Sequence, residues 1–408
     1  MMQRTESALV GAPDAVRTPQ HLEHQASQGS RRVFFLVDSF MLGGTETQAV
    51  ELARRLDPAR YEVTVGCLRR EGPLLDRVAA RGLPIVHVDI GRGIDSPSGA
   101  FAVLRLARFL RRGGFEILHA HDLWSNLVGM SAAVMARVPV RITSQRDLSH
   151  DAWYGTYRRR ILRFLQARSS VVLTNASAIR DGLIAQDRIP AEKVCVIYNG
   201  VDLVRFERAR ANREFLFPNS VGKKLVVLVG NMISDVKGHL TLISAAPAIV
   251  KAFPRTQFVF VGDGRRRPAF EQGVAARGLS GNFLFLGRRN DVPEILASCD
   301  IAVLPSLAEG LPNAVLEYLA AGLPAVASAL GGNLEVIQDG LTGLLVPPQD
   351  AGALAAALLR LLEDEDLATL LAKAGREQVT SRFSFDRLVA ETENLYLRQL
   401  QAAGHGYR

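Results

Sequence analysis

The chain has 408 residues, too many for one ordinary hydrophobic core, so two or three domains are expected. Hydrophobic residues make up 48% and charged residues 22%, the balance of a soluble globular protein, and no apolar run is long enough to cross a bilayer. The net charge of +8 is lopsided, with 27 Lys+Arg against 20 Asp+Glu in residues 1–203. The first half either meets something anionic or is simply arginine-rich. Nucleic acid is disfavoured, because no nucleic-acid module is recognisable and aromatic residues do not interleave with the basic ones. Cys67, Cys195 and Cys299 lie far apart, without C-x-x-C spacing, each in or beside an apolar run. They read as buried free thiols in a reducing cytoplasm. Residues 1–30 mix polar residues with no apolar segment and read as a disordered tail.

Residues 32–38 form the first expected strand, followed by a loop that closes on Gly43 and Gly44. Thr45-Glu46-Thr47-Gln48 then has the capping-box pattern of a helix start. Strand, glycine loop and helix in succession make a place for an anion or a close-packed ligand, although a plain βα turn has the same pattern. Further strand-like runs at residues 62–67, 84–88, 115–119, 140–143, 171–173 and 194–197 alternate with helical patterns. That alternation predicts an α/β fold with a doubly wound parallel sheet. No G-x-G-x-x-G follows the first strand, which disfavours a dinucleotide-binding enzyme. His119 and His121 close their strand, where side chains face the crevice of an open sheet, and without a third ligand they make a poor metal site. His119 reads as structural. Arg146 sits in another polar strand-end loop and is a candidate contact for an anion or a second substrate. Residues 153–165, with Trp153, two tyrosines and four arginines, read as a helix. It either lies on anionic lipid or packs on its own sheet through Ile161, Phe164 and Leu165. An Asn-Gly turn at Asn199-Gly200 precedes residues 203–222, which lack any apolar period. The expected divisions are therefore 31–203, a linker at 204–222, a second domain at 223–383, and a terminal segment at 384–408 whose helix crosses back to the first domain.

The second half restarts with a strand at residues 224–230 and a loop from Asn231 that reaches a helix through Lys237 and Gly238. A lysine there is either a solvated charge or the partner of an anion in the crevice, a contact worth ~1.5–3 kcal/mol. Gly262-Asp263-Gly264 follows the next strand, with Arg267 three residues on, and Gly287-Arg288-Arg289 follows the one after. Residues 300–304 are a buried strand that Pro305 ends, and Pro312 fits the first turn of a helix that Gly322 and Pro324 stop. Glu309 lies in the loop between them and Glu317 in the helix, bracketed by Leu316 and Tyr318. Gly331-Gly332-Asn333-Leu334-Glu335 comes next. Asp364 and Asp366, an Asp-x-Asp in an acidic helical run, read as solvated charge.

The E-x7-E spacing from Glu309 to Glu317 resembles the retaining glycosyltransferases of family 4, which have the GT-B fold. Over about residues 31–400 the other motifs stand in that family's order: Gly43-Gly44-Thr45-Glu46, Asn199-Gly200-Val201-Asp202, Lys237, Gly262-Asp263-Gly264 with Arg267, and Gly331 to Glu335. The resemblance implies two Rossmann-like doubly wound domains facing a cleft, and transfer of a hexosyl group from a nucleotide-diphosphate sugar to a glycan or lipid-linked acceptor in cell-surface polysaccharide or glycolipid synthesis. It assigns His121 to the donor sugar and phosphate, Glu309 to the sugar hydroxyls, Glu317 to the nucleotide ribose and Lys237 to the diphosphate. Gly43, Gly44, Asn231, Gly262, Gly264, Arg267, Arg288, Gly310 and Leu311 would complete the donor site, with Arg146 toward the acceptor. It further implies front-face substitution without metal or cofactor, in the cytoplasm or on the inner face of its membrane. One departure stands out: Asn231 occupies the place where the family usually holds a diphosphate-binding arginine, and Arg267 is the nearest candidate to replace it. Two rival classes are a non-catalytic nucleotide-sugar binding subunit and a GT-B enzyme of other chemistry, such as an epimerase or a phosphorylase.

Overall fold

The computed structural model describes residues 29–147 and 155–404. The expectations for the amino-terminal tail and for Trp153 and Tyr154 fall outside the described residues. Apolar runs without polar alternation suit strands buried on both faces, and the described strands form two parallel sheets of this kind. The first comprises β1 (Arg31–Val37), β2 (Tyr61–Cys67), β3 (Ile85–His87), β4 (Ile117–Ala120), β5 (Val140–Gln145), β6 (Val171–Thr174) and β7 (Val194–Val196), in the order β3-β2-β1-β4-β5-β6-β7. The second comprises β8 (Lys224–Val229), β9 (Thr256–Val261), β10 (Phe283–Phe285), β11 (Ile301–Leu304), β12 (Ala325–Ser328) and β13 (Leu344–Val346), in the order β10-β9-β8-β11-β12-β13. In each sheet the order reverses beside the founding strand, between β1 and β4 and between β8 and β11. Loops diverge at such a switch point and leave a crevice at the carboxyl ends of the strands.

Both faces of each sheet are covered. Along β1, Val33, Phe35 and Val37 join one apolar cluster while Phe34 and Leu36 join another; along β8, Leu225 and Val227 are similarly separated from Val226 and Leu228. One cluster does not respect the division into halves. It runs from Val172, Ile179 and Leu183 into Leu311, Val315 and Leu319. Burial of this kind, at roughly 25 cal/mol per Å² of apolar surface, holds the two sheets' carboxyl ends against each other.

Three local readings need correction. The capping box at Thr45 to Gln48 does not form: helix Gly44–Arg55 has Gly43 as its N-cap, with no side chain to offer, and Gln48 is directed across to Gly200 instead (Nε2 to O 2.7 Å). The linker at residues 204–222, read as lacking any apolar period, is not without structure. It holds short helices Leu203–Arg208 and Arg213–Leu216, and Phe217 is fully buried in the shared cluster. In helix Thr156–Ala167, Leu162 and Leu165 face the core but Phe164 is 55% exposed, with the Arg168 guanidinium over its ring.

Helix Phe385–Ala402 packs on the first sheet through Phe385, Leu388, Leu395, Tyr396 and Leu400. Its Tyr396 hydroxyl meets His119 Nδ1 at 2.7 Å, and the other ring nitrogen of His119 meets Ser144 Oγ at 2.8 Å. The three cysteines are free, and Asp364 caps helix Glu365–Arg382 by accepting from Leu367 N. No described helix is long and apolar enough to cross a membrane.

Candidate active site

The carboxyl ends of the two sheets line a cleft of about 660 Å³. On one wall, β8 ends at Val229, and the chain turns through Asn231 to Lys237 and the helix His239–Ala252. Gly238 closes that turn at φ +72°, and a Cβ there would lie 1.8 Å from the Pro305 carbonyl oxygen. Only glycine lets the β8 and β11 loops approach so closely. The approach sets Lys237 beside the loop after β11, where its ammonium donates to both oxygens of Glu309 at 2.7 and 3.0 Å. From the other side Gly331 and Gly332 clamp the same loop: Gly332 N donates to Gly310 O at 2.8 Å, and a Cβ on Gly332 would fall 1.9 Å from that oxygen. The G-G-x-x-E motif is thus a backbone seat for the glutamate loop.

The loop leads into helix Asn313–Ala320, which carries Glu317 on the cleft side. Apolar neighbours desolvate Glu317 and push its carboxyl up to about 7, with Arg205 pulling the other way. Arg205 also lines the cleft and holds the Asn290 carbonyl.

The opposite wall is polar and threaded by amides. Arg146 donates from Nη1 to Asn199 Oδ1 at 2.7 Å, Asn199 donates to Asn313 Oδ1 at 2.7 Å, and Asn313 donates to Gly44 O at 3.2 Å. This chain joins the end of β5, the Asn-Gly turn, the first turn of the helix after Glu309 and the glycine loop after β1. Burial lowers the Arg146 guanidinium to about 10, opposed by Glu46. The halves are tied once more at Glu335, whose carboxylate accepts from Ser177 N at 2.9 Å, Ala178 N at 3.2 Å and Tyr198 Oη at 3.0 Å. Helix Ser177–Ala185 has no side-chain cap of its own, so a residue from the other half supplies it.

Of the residues singled out in the sequence, Gly43, Gly44, Arg146, Asn231, Lys237, Glu309, Gly310, Leu311 and Glu317 line the cleft. His121 lies deeper, fully buried, stacked on His119 at 4.0 Å and on Phe35 at 5.1 Å. Both its ring nitrogens are unpartnered among the described residues, and burial, with His119 and Arg146 nearby, holds it neutral. Gly262 and Gly264 pack the β9 loop against residues 230–233 and do not reach the lining. Arg267 is held outside it by Glu271 (Nε to Oε1 2.7 Å) and by the Phe285 carbonyl. Arg288 is exposed, while its neighbour Arg289, paired with Asp291, does line the cleft. The amide relay of Asn199 and Asn313, Gln48, Arg205 and Glu335 carried no assignment from sequence. Asn313 directly after a helix-starting proline was the one available signal. No group of three His, Cys, Asp or Glu among the described residues is placed to hold a metal ion.

Two family models match this chain in tandem: Glycosyltransferase Family 4 over residues 42–205, and Glycosyl transferases group 1 over residues 223–364. The chain belongs to glycosyltransferase family 4. This glycosyltransferase is 26% identical over 367 residues to the UDP-Gal:alpha-D-GlcNAc-diphosphoundecaprenol alpha-1,3-galactosyltransferase of Escherichia coli, covering 88% of this chain and 94% of that one. It is 27% identical over 366 residues to the phosphatidyl-myo-inositol mannosyltransferase of Mycolicibacterium smegmatis, covering 87% and 90%. Among solved structures, Anabaena HepE in complex with UDP-glucose superposes with a TM-score of 0.79 at 23% identity, over 90% of this chain and 99% of that one. That likeness is one of fold, and it makes the two facing sheets a GT-B architecture. Motifs from both halves line the cleft, with the glutamate loop and Lys237 on one wall and the glycine loop on the other.

Proposed function

We propose that the enzyme transfers a hexosyl group with retention of configuration from a UDP-sugar to a glycan or lipid-linked acceptor, without metal. The observation that carries this reading is the contact between Lys237 and Glu309 at the amino end of helix Asn313–Ala320. A lysine so placed can meet the leaving diphosphate, and the glutamate can meet the sugar's hydroxyls. In the step itself the bond from C1 to the diphosphate oxygen breaks and the acceptor oxygen bonds to C1 from the same face. The departing phosphate takes the acceptor's proton. Stabilising the developing charge on that phosphate is the main catalytic term, shared by Lys237, the helix dipole and the Gly43-Gly44 loop. Asn231 lines the cleft without a charge, and Arg267 is engaged elsewhere. Lys237 therefore carries more of that work than a lysine with a neighbouring arginine would.

UDP as the nucleotide carrier is favoured by two similar proteins: the Escherichia coli relative uses UDP-Gal, and the HepE structure holds UDP-glucose. Both transferase relatives are named for lipid-borne acceptors. A face that suits a lipid surface is present: Tyr157 (70% exposed) and Phe164 on helix Thr156–Ala167 stand among arginines, and Phe101 is 58% exposed on the nearby helix Pro97–Arg112. The enzyme would then work from the cytoplasmic face of the membrane as a peripheral protein.

The test is a panel of UDP-, GDP- and ADP-sugars with polyprenyl-diphosphate and simple glycoside acceptors, followed by proton NMR of the anomeric signal. An α-linked donor giving an α-linked product supports the reading. A β-linked product, or dependence on an added divalent ion that chelation abolishes, would overturn the retaining or the metal-free part respectively.

A further inference from the structure

A second cavity, of about 540 Å³, opens at the carboxyl ends of the first sheet and is separate in its lining from the main cleft. Three arginines from different parts of the chain line it: Arg69 from the loop after β2, Arg92 from the loop after β3, and Arg158 from helix Thr156–Ala167. Two are fixed in place by carboxylates. Arg69 bonds Asp38 at 2.5 Å, and Arg158 bonds Asp95 at 2.7 Å while lying 4.8 Å over the Trp124 ring. The Arg92 guanidinium, on an exposed residue, has no partner among the described residues. Ile90, Ile94 and Trp124 give the lining its apolar part, and Asp38, Asp95 and Ser96 line it as well. Arginines beside apolar surface, two of them held and one free to engage a ligand, match a phosphate group joined to a less polar body, since guanidinium bonds phosphate in a bidentate manner.

The position fits that ligand as well as the chemistry does. Asp38 belongs to this cavity, and Glu46, on the first turn of the helix after the Gly43-Gly44 loop, lies within electrostatic reach of Asp38 and Arg69 on one side and Arg146 on the other. The loop after β1 joins the two sites, lining the cavity at Asp38 and the cleft at Leu42, Gly43 and Gly44. It also lies at the amino end of helix Pro97–Arg112, where Ser96 is part of its lining, and beside helix Thr156–Ala167, the two helices that expose Phe101, Tyr157 and Phe164. We propose that this cavity binds the phosphate or diphosphate group of the acceptor, positioning its sugar hydroxyl over the cleft. The inference rests on the glycosyl-transfer reading, and it adds that the acceptor is anionic next to the sugar that is extended.

The experiment is calorimetric titration of the full chain and of Arg92→Ala, Arg158→Ala and Lys237→Ala with two probes, geranyl diphosphate and glucose 1-phosphate. Saturable binding of either probe is expected, weakened roughly ten-fold or more in both arginine variants and unchanged in Lys237→Ala. Binding of geranyl diphosphate alone would mark a lipid-borne phosphate, and binding of both a soluble phosphorylated acceptor. Absence of saturable binding, or affinities that the two arginine variants leave unchanged, would overturn the proposal. Arg92 is exposed and Arg158 has 37% of its side chain exposed, so neither substitution disturbs the core. Release of nucleoside diphosphate from the donor alone is measured separately, so a failed titration does not touch the transfer reading.

Discussion

Glu317 holds its proton up to about pH 7 because it sits on an apolar helix with only Arg205 near enough to offset its desolvation. The sign of the consequence is fixed by the raised value. Below pH 4.5 the carboxyl is neutral in both folded and unfolded chains. Between pH 4.5 and 7 the unfolded chain ionises first, so stability falls across that window and levels off above it. Glu317→Gln should therefore match the wild type at pH 4.5 and melt at a higher temperature at pH 8, a difference that thermal scans at the two pH values would reveal. If Glu317 accepts from the nucleotide's ribose, the same scans run with UDP will show the wild type gaining more from the ligand at pH 8 than at pH 5.5, and the variant gaining equally at both. His121 is the opposite case, a buried base held neutral. Any part it takes in transfer is as an uncharged hydrogen-bonding group.

At the scale of elements, the strands were legible because most are apolar runs buried on both faces, and even the half-buried β3 and β7 keep a short apolar run. The strand-to-helix turn around Glu309 was legible for a related reason, since Pro305 and Pro312 mark its two ends. Helix starts were harder to read. Thr45 to Gln48 has the spacing of a capping box, yet Gln48 has a better partner at Gly200, 152 residues along the chain. Window-based reading cannot see such a partner. The same holds for the C-terminal helix, whose apolar spacing was visible but whose polar anchor, Tyr396 to His119, was not. Tyr396→Phe keeps the ring in the core and leaves one buried nitrogen of His119 without its partner. It should cost about 1–3 kcal/mol in urea unfolding with no change in the unfolding slope. A cost near zero would mean the helix is held by its apolar face alone.

At the scale of the molecule, two open sheets make a site only when their carboxyl ends face each other, and residue-level contacts fix that arrangement. Composition and motif order announced two domains and a shared cleft. They did not announce the amide relay through Asn199 and Asn313, or Glu335 acting as the cap of a helix in the other half, because those depend on how the halves meet. Glu335→Gln retains size but removes the carboxylate from Ser177 N and Ala178 N. The loss of this cap, about 0.5–2 kcal/mol, should favour more open arrangements, seen as a larger radius of gyration by small-angle scattering. An unchanged radius, with unchanged stability, would reduce Glu335 to a surface acid. In the proposed reaction Lys237 and Glu309 form the catalytic wall of a nucleotide-sugar cleft. The most direct test is the rate of nucleoside diphosphate release from the preferred sugar donor, with acceptor present, by the wild type, Lys237→Ala and Glu309→Gln. Losses of roughly 10²-fold or more in kcat are expected for each variant, with folding intact. Turnover within a few-fold of the wild type in both would contradict it.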